Sequence, residues 1–173
     1  MANYNIKLNI QTDVIIVGTG VSGLYAALNL PRDKKIVMIT KSDLESSDSF
    51  LAQGGICVLK NDNDYDSYFE DTMRAGHYEN NKDSVDIMIR SSQDVINDLI
   101  HFGVDFKRND DGSLAFTREG AHSTPRILFH EDITGKEITS HLLEQVKKLE
   151  NVTLIEEMTM LDIIEKDNSC YGI

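Results

Sequence analysis

The sequence predicts an α/β fold of the Rossmann-like type, built on a parallel sheet. An apolar run, Val14–Val17, leads directly into the glycine turn Gly18–Gly23. A stretch with apolar residues on one helical face follows over Val21–Asn29, and a second apolar run lies at Ile36–Ile39. Continuous Val and Ile runs are typical of parallel strands that are buried on both faces. Strand, glycine turn, helix and strand together predict a βαβ unit.

The glycine turn has the spacing G-x-G-x-x-G, and each glycine has a separate physical role. Gly18 permits the tight turn, Gly20 lets the backbone approach a pyrophosphate, and Gly23 lets the helix pack closely on the strand. The N-terminus of the following helix offers free N–H groups and the positive end of its dipole. The turn therefore predicts a dinucleotide site, and the alternative is a glycine-rich turn without a ligand.

Composition and charge limit the classes of partner. The chain has 173 residues, enough for one domain with a core, and a net charge of -12. That charge disfavours nucleic acid and anionic membranes but leaves small anionic substrates open. No N-terminal signal pattern and no apolar run long enough to cross a bilayer are seen. Cys57 and Cys170 are predicted to be reduced thiols in a cytoplasmic protein, and no metal site is predicted.

The second strand ends without the acidic residue that usually binds a ribose in such units. Thr40 and Lys41 stand there instead, with Asp43 and Glu45 slightly later. This departure weakens a generic NAD interpretation. Lys41 is predicted to meet a phosphate or the ribose edge, and the alternative is an exposed surface lysine.

The segment Ser46–Gly55 is rich in small polar residues and ends in two glycines. Such residues are poor for helix or strand interiors but suit a loop that wraps a polar ligand with N–H and hydroxyl groups. The alternative is a solvent loop, which Phe50, Leu51 and Ile56 argue against.

Further helices are predicted where apolar residues recur at helical spacing. Asp83 is expected to cap the longest helix, and Gly103 to follow its end. Thr134 and Glu137 have the spacing of a capping box. The predicted helices span residues 64–76, 83–103 and 134–149.

The remaining apolar stretches predict short strands. Two of them flank the turn-forming segment 109–112 and predict a hairpin. A second turn is expected at Asp167 and Asn168. The predicted strands span residues 104–106, 114–116, 126–130, 152–155, 158–164 and 169–173.

Several motifs in order resemble one family, the flavoprotein subunits of succinate dehydrogenase and fumarate reductase. A further polar loop with its following strand is similar to the L-aspartate oxidase branch of that family. The family motifs are Val14–Gly23, Ile39–Lys41, Ala52–Ile56 and Asp132–Gly135, and the branch motifs are Thr117–Ser123 and Arg126–Leu128.

The resemblance implies FAD as the cofactor. In the respiratory members a histidine carries the flavin covalently, and Asp48 stands at that position here, which implies non-covalent FAD. The residues that the resemblance assigns to FAD are Gly18, Thr19, Gly20, Val21, Ser22, Gly23, Lys41, Asp48, Ser49, Phe50, Leu51, Ala52, Gln53, Gly54, Gly55, Thr159 and Met160.

The same resemblance implies a substrate site in the Thr117–Ser123 loop. Glu119 is the implied catalytic-site residue, because a carboxylate supplies a charge-assisted acceptor for an ammonium group. The alternative is a solvated loop carboxylate. His122, Ser123 and Arg126 are implied to position substrate carboxylates, or alternatively to form loop hydrogen bonds that hold Glu119.

The implied activity is FAD-dependent oxidation of L-aspartate to iminoaspartate in de novo NAD (quinolinate) biosynthesis, with oxygen or fumarate as the electron acceptor. The product would pass to quinolinate synthase. The alternatives are a fumarate reductase-type flavoprotein and a non-catalytic nucleotide-binding fragment. Because the glycine turn has no completed sheet behind it, residues 1–173 are expected to be the truncated N-terminal portion of an FAD-binding domain. The capping domain and the C-terminal helical domain are expected to be absent.

Overall fold

A three-stranded parallel sheet lies at the centre of the fold. The structure is a computed structural model that describes residues 9–173, so most of the predicted lead-in over residues 1–12 lies outside the described residues. The sheet has the order β1-β2-β5. The strands are β1 (Val14–Val17), β2 (Ile36–Ile39), β3 (Ile56–Cys57), β4 (Ile127–Leu128), β5 (Val152–Ile155), β6 (Ile164–Lys166) and β7 (Ser169–Gly172).

The predicted βαβ unit is confirmed. Strand β1 pairs with β2 in parallel, Val14 opposite Ile36, and β2 pairs with β5 in the same sense. All four residues of β2 are buried, as expected for a strand with neighbours on both sides. The expectation that β1 is also buried on both faces is wrong. Val17 is 50% exposed, because β1 pairs with only one strand among residues 9–173.

Five α-helices and one short 3-10 helix, Asp62–Asp64, complete the described part of the chain. Gly103 adopts φ +103° directly after the last turn of α4, which confirms the predicted helix end. The predicted cap is wrong, because Asn81 rather than Asp83 caps α4 and accepts a hydrogen bond from the Ser84 N–H. The helices are α1 (Val21–Asn29), α2 (Asp48–Leu51), α3 (Tyr65–Ala75), α4 (Lys82–His101) and α5 (Thr134–Val146).

The predicted capping box at the start of α5 is also wrong. The Thr134 hydroxyl accepts a hydrogen bond from the His130 N–H, and the Glu137 carboxylate accepts one from the Asp105 N–H. Both side chains therefore bind neighbouring loops rather than the end of their own helix. Hydrogen bonds to neighbouring loops have replaced the local capping hydrogen bonds that the spacing favours.

Several predicted strands are shorter than expected or irregular. The predicted hairpin over residues 104–116 reduces to a single antiparallel bridge between Arg108 and Leu114, because Val104 and Phe106 are buried in the core instead of pairing along a ladder. Residues 158–163 form no strand, and the final hairpin joins β6 to β7 through Asp167 and Asn168, both at positive φ. The segment Ser46–Gly55, predicted to be a loop, contains the short helix α2, which Ser47 caps.

Two apolar clusters position the candidate site. The larger one joins α1, β2, α4 and α5, with Leu24, Met38 and Leu142 fully buried. The smaller one joins α3 to the start of α4 through Tyr68 and Ile89. The smaller cluster packs α3 against α4, and α5, which belongs to the larger cluster, also contacts α2. Within residues 9–173 no helix is long and apolar enough to cross a membrane.

Candidate functional site

The glycine turn between β1 and α1 has the geometry that its spacing predicts. Gly18 adopts φ +102°, and its N–H donates to the Ile39 carbonyl at 2.8 Å. A Cβ at Gly18 would meet open space, so conformation rather than crowding requires glycine there. A Cβ at Gly23 would overlap the Gly18 carbonyl oxygen and stand 3.2 Å from Ile16 Cγ2. The predicted role of Gly23 in close packing of helix on strand is thus confirmed.

Polar groups at the turn are available to form hydrogen bonds with an anionic ligand. The hydroxyl of Thr19 is buried and has no hydrogen-bond partner among the described residues. Helix α1 has Gly20 at its N-cap, a residue with no side chain that could cap the helix. The Ser49 hydroxyl accepts from the Val21 N–H at 3.2 Å and stands 3.1 Å from where a Cβ on Gly20 would lie. A helix N-terminus with glycine at its N-cap, beside a buried hydroxyl without a partner, fits the diphosphate of a dinucleotide.

A cavity of about 340 Å³, here called the turn cavity, opens at this turn. It joins the ends of β1 and β2 to the start of α2 and to the irregular segment after β5. Seven residues predicted to bind the cofactor line it: Gly18, Thr19, Gly20, Lys41, Asp48, Thr159 and Met160. Five other lining residues were not assigned to the cofactor, although two of them, Ser46 and Ser47, belong to the segment predicted to wrap a polar ligand: Val17, Thr40, Ser46, Ser47 and Met158. Their position directly beside predicted residues was the available signal.

A second cavity of about 230 Å³, the helix cavity, lies between α1, α2 and α5. Its predicted members are Val21, Ser49, Ala52, Gly54 and Gly55. Those that sequence reasoning missed are Ile56, Thr134, Gly135, Ile138 and Thr139. The motif Asp132–Gly135 contributed to the resemblance, but it was not assigned to the site.

Two glycines near the helix cavity are required by packing. A Cβ on Gly55 would overlap the Leu128 carbonyl oxygen, and one on Gly135 would overlap the Ser49 carbonyl oxygen. The Gly135 N–H also donates to the Ala52 carbonyl at 2.9 Å. The Gly135 contacts seat α5 on the loop around α2, and the Gly55 contact seats that loop on β4, so both glycines shape the cavity as well as lining it.

Five residues assigned to the cofactor line neither cavity. Leu51 is 73% exposed, and the Lys136 ammonium lies 5.7 Å from the centre of the Phe50 ring. Ser22 and Gln53 are also exposed, and Gly23 faces β1. Their contact with FAD stays a prediction.

The Thr117–Ser123 loop lies beside the double glycine of the helix cavity. Glu119 is exposed, and its Oε2 stands 3.9 Å from the place a Cβ on Gly54 would occupy. Its carbonyl accepts from the His122 N–H at 3.3 Å, which closes a turn around Gly120 at φ +55°. The structure therefore brings the predicted carboxylate next to a predicted cofactor-binding residue.

Arg126 is fully buried among carboxylates rather than open to a ligand. It donates to both oxygens of Asp64, at 3.1 and 2.8 Å, and to Asp71 at 2.7 Å. It also donates to the Ser67 hydroxyl at 2.7 Å and faces His122 Nδ1 at 3.0 Å. All five N–H donors are used, so this geometry contradicts direct contact with a substrate carboxylate. It supports the alternative that Arg126 holds the loop.

Ser123 is tied to the same cluster. Its N–H and hydroxyl both donate to Asp71, at 2.6 and 2.7 Å. Burial works to raise the pKa of Asp71, but the hydrogen bonds from Ser123 and Arg126 outweigh it and hold the pKa well below its usual value. Burial is likewise outweighed at Asp64, whose pKa is lowered by its hydrogen bonds to Arg126 and Ser67. Both carboxyls are therefore ionised at neutral pH.

His122 connects this cluster to Cys57. The Nε2 of His122 lies 3.0 Å from Cys57 Sγ, and its ring packs edge-on against Tyr68. Burial, then the Arg126 charge, lowers the pKa of His122, while burial raises the pKa of the Cys57 thiol. Cys57 and Cys170 are both unpaired.

A third cavity of about 760 Å³, the large cavity, opens between α3, α4 and this loop. Its walls include Cys57, Tyr68, Asp71, Ala121 and His122. Gly55 and Ile56 line both this cavity and the helix cavity, so the two adjoin. Over residues 9–173, no group of three or more His, Cys, Asp or Glu side chains is arranged to hold a metal ion.

Comparison with known proteins agrees with this geometry. The chain is 49% identical over 160 residues to the L-aspartate oxidase of Clostridium perfringens, which covers 92% of this chain and 36% of that protein. It is 48% identical over 165 residues to the L-aspartate oxidase of Clostridium acetobutylicum, with 95% and 38% covered. The chain thus spans little more than a third of the length of these curated relatives.

A solved structure of E. coli quinol fumarate reductase FrdA superposes with a TM-score of 0.89 at 28% identity, covering 93% of this chain and 28% of that one. Residues 13–173 match the family described as FAD binding domain. The start of α1 with Gly20 at its N-cap, the orphaned Thr19 hydroxyl, the turn cavity and the helix cavity fit that cofactor. The chain therefore belongs to the FAD binding domain family of flavoproteins, and its cofactor is FAD.

Proposed function

We propose that these residues form the N-terminal portion of an FAD-dependent oxidoreductase that oxidises L-aspartate to iminoaspartate. The single observation that carries the proposal is the position of Glu119, whose carboxylate lies beside Gly54 at the edge of the helix cavity. An amino-acid substrate brings an ammonium group, and a carboxylate is the strongest acceptor for it. The similarity to two L-aspartate oxidases supports the same substrate.

The residues of the two smaller cavities would hold FAD. Thr19, Gly20 and the first turn of α1 suit the diphosphate, and Lys41 suits a phosphate or the ribose edge. The Gly54–Gly55 backbone would line the cofactor close to Glu119. Asp48 supports a non-covalent attachment, because a carboxylate replaces the histidine that carries the covalent link in the respiratory members.

FAD, when bound, would supply the acceptor for a hydride. The Cα–H bond of aspartate would break with its electron pair, one proton would leave the ammonium nitrogen for solvent, and a C=N bond would form. This chain contributes orientation and charge to that step. Glu119 would accept hydrogen bonds from the substrate nitrogen, while the Arg126 cluster would hold the loop in place.

A fumarate reductase-type activity is the second candidate, because the fold superposes closely on E. coli quinol fumarate reductase FrdA. Fumarate and succinate carry no ammonium group, so their binding would not require the Glu119 carboxylate. A non-catalytic nucleotide-binding fragment is the third candidate, and measurable turnover by the full-length protein would exclude it.

The experiment compares kcat/KM for L-aspartate oxidation and fumarate reduction in the full-length protein and its Glu119→Gln variant. Glutamine keeps the size of the side chain and removes its charge. A charge-assisted hydrogen bond contributes about 1.5–3 kcal/mol, so aspartate turnover should fall by roughly one to two orders of magnitude. Fumarate reduction should fall much less.

The matched control is Glu144→Gln, which removes an exposed carboxylate on α5 away from the loop. It should leave both reactions unchanged. Equal losses for aspartate and fumarate in Glu119→Gln would mean that Glu119 supports the loop structurally. Absence of aspartate turnover in the wild type would overturn the proposed substrate.

We also propose which enzyme consumes the product and which electron acceptors are used. Iminoaspartate is an unstable imine, so a consuming enzyme must receive it soon after release, and quinolinate synthase in de novo NAD biosynthesis is the proposed partner. Oxygen and fumarate are the proposed electron acceptors. Turnover measured with each acceptor in turn, under air and under anaerobic conditions, separates them.

A further inference from the structure

Arg126 satisfies its hydrogen bonds in a way that constrains one neighbour. Four of its five N–H donors reach oxygen atoms of Asp64, Asp71 and Ser67, at 2.7 to 3.1 Å. The fifth, on Nη1, points to His122 Nδ1 at 3.0 Å. A guanidinium has donors only and stays charged, so it cannot accept a hydrogen bond from histidine.

The proton position on His122 follows from this contact. Because Arg126 only donates, His122 Nδ1 must be the acceptor and carries no proton. A neutral imidazole then has its single proton on Nε2. The Nε2–H faces Cys57 Sγ at 3.0 Å, where the thiol sulfur accepts.

The orientation of Arg126 is fixed from both sides. Asp64 and Asp71 belong to the start and the body of α3, and both are ionised acceptors. Asp71 also holds the backbone and the hydroxyl of Ser123. The end of the loop and the arginine therefore share one buried anchor, and the loop cannot shift without breaking charge-assisted hydrogen bonds.

The surroundings of His122, burial first, favour its neutral form. It faces Arg126, Asp64 and Asp71 on one side. Tyr68 packs against its ring, and Cys57 and the Glu119 backbone complete its surroundings. A second proton would place an N–H on Nδ1 directly against the Arg126 donor. Burial and the arginine charge oppose that proton, while the two aspartates favour it.

We propose that Arg126 is a positioning residue, which fixes His122 as the neutral Nε2–H tautomer and so directs its one N–H at Cys57 Sγ. This assignment does not rest on the proposed function.

The test is the tautomer of His122 in the full-length holoprotein, labelled with ¹⁵N-histidine. Long-range ¹H–¹⁵N correlation spectra separate a protonated ring nitrogen from an unprotonated one, and the His122→Gln variant assigns the signals. We expect an unprotonated Nδ1 and a protonated Nε2 from pH 7 to 8. A protonated Nδ1, or an average of the two tautomers, would overturn the proposal.

Two variants show which neighbour sets the tautomer. Cys57→Ala removes the acceptor of Nε2–H and should leave the pattern unchanged. If Cys57→Ala moved the proton to Nδ1, the cysteine rather than the arginine would be the determinant. Arg126→Lys keeps the charge but loses the fork of donors, and should cause loss of the single-tautomer pattern.

The matched control is Arg90→Lys, which makes the same substitution in the exposed pair with Asp86 on α4. It should leave the His122 signals unchanged. Should Arg126→Lys fail to fold, the wild-type and Cys57→Ala spectra still decide the proposal. None of these readouts requires aspartate turnover, so failure of the tautomer assignment and failure of the proposed substrate are distinguishable.

Discussion

Asp71 accepts two hydrogen bonds from Ser123, one from the backbone N–H at 2.6 Å and one from the hydroxyl at 2.7 Å. The two residues are 52 positions apart, on helix α3 and at the end of the Thr117–Ser123 loop. A buried carboxylate on a helix thus anchors the loop that carries Glu119. Asp64 and Asp71 were not among the predicted site residues, although together they determine where Arg126 and His122 lie.

Replacing Asp71 with asparagine should destabilise the protein strongly. The variant leaves Arg126 buried with one fewer charged partner, and breaking a buried ion pair costs about 3–5 kcal/mol. Urea unfolding of the full-length holoprotein measures the loss. Asp86→Asn, which breaks the exposed pair with Arg90, is the control and should cost at most about 1 kcal/mol. Similar losses in both variants would contradict the buried anchor.

Stability should fall in two stages as the pH is lowered. The folded pKa of His122 lies below its unfolded value of about 6.5, so the unfolded chain binds more protons and stability falls as the pH drops below about 6.5. Asp64 and Asp71 also have lowered folded pKa values, so their contribution is complete above about pH 4 and is lost below it.

The free energy of unfolding measured by urea titration from pH 7 to 3 checks both stages. His122→Gln should remove the first stage and keep the second. If His122→Gln kept the full decrease in the free energy of unfolding between pH 7 and 5, another group would be responsible for it. Asp71→Asn should reduce the second stage and leave the first.

Gly20→Val should abolish flavin binding. Its Cβ would lie 3.1 Å from the Ser49 hydroxyl oxygen, and the branched methyl groups would fill the space beside the α1 N-terminus where the diphosphate belongs. The measurement is flavin absorbance per mole of purified full-length protein. Ala26→Val adds the same groups at an exposed position of α1 and should keep the flavin. Full occupancy in Gly20→Val would mean that the turn does not face the diphosphate.

Acid treatment should release the flavin intact. Asp48 stands where the respiratory members carry the flavin on histidine, and a carboxylate offers no equivalent nitrogen for that link. After precipitation of the full-length holoprotein, the yellow chromophore should remain in the supernatant. Colour in the washed pellet would contradict non-covalent binding.

Local signals were enough to predict the elements that surround the turn cavity. The βαβ unit, the glycine turn and the end of α4 at Gly103 each depend on residues that are neighbours in the chain. A glycine at positive φ, or one pressed against a carbonyl, leaves a direct mark on the sequence because other residues cannot replace it. The turn cavity accordingly contains seven of the predicted residues.

Predictions from local sequence patterns were wrong where a contact with a residue distant in the chain was stronger than the local interaction. Thr134 and Glu137 have the spacing of a capping box, yet each binds a neighbouring loop. Residues 104–116 alternate like a hairpin, yet Val104 and Phe106 are buried in the core. In both places burial against another element contributes more than one local hydrogen bond or one strand pair.

The sequence by itself therefore determined the fold class, the cofactor turn and the candidate carboxylate Glu119. Only the tertiary structure decided that Arg126 is a buried anchor rather than a substrate ligand. Its partners Asp64 and Asp71 lie 62 and 55 residues away, and no periodicity or motif connects them. The physical reason is desolvation: once Arg126 is buried, it must find carboxylates wherever the fold places them, and it then has no N–H left for a ligand.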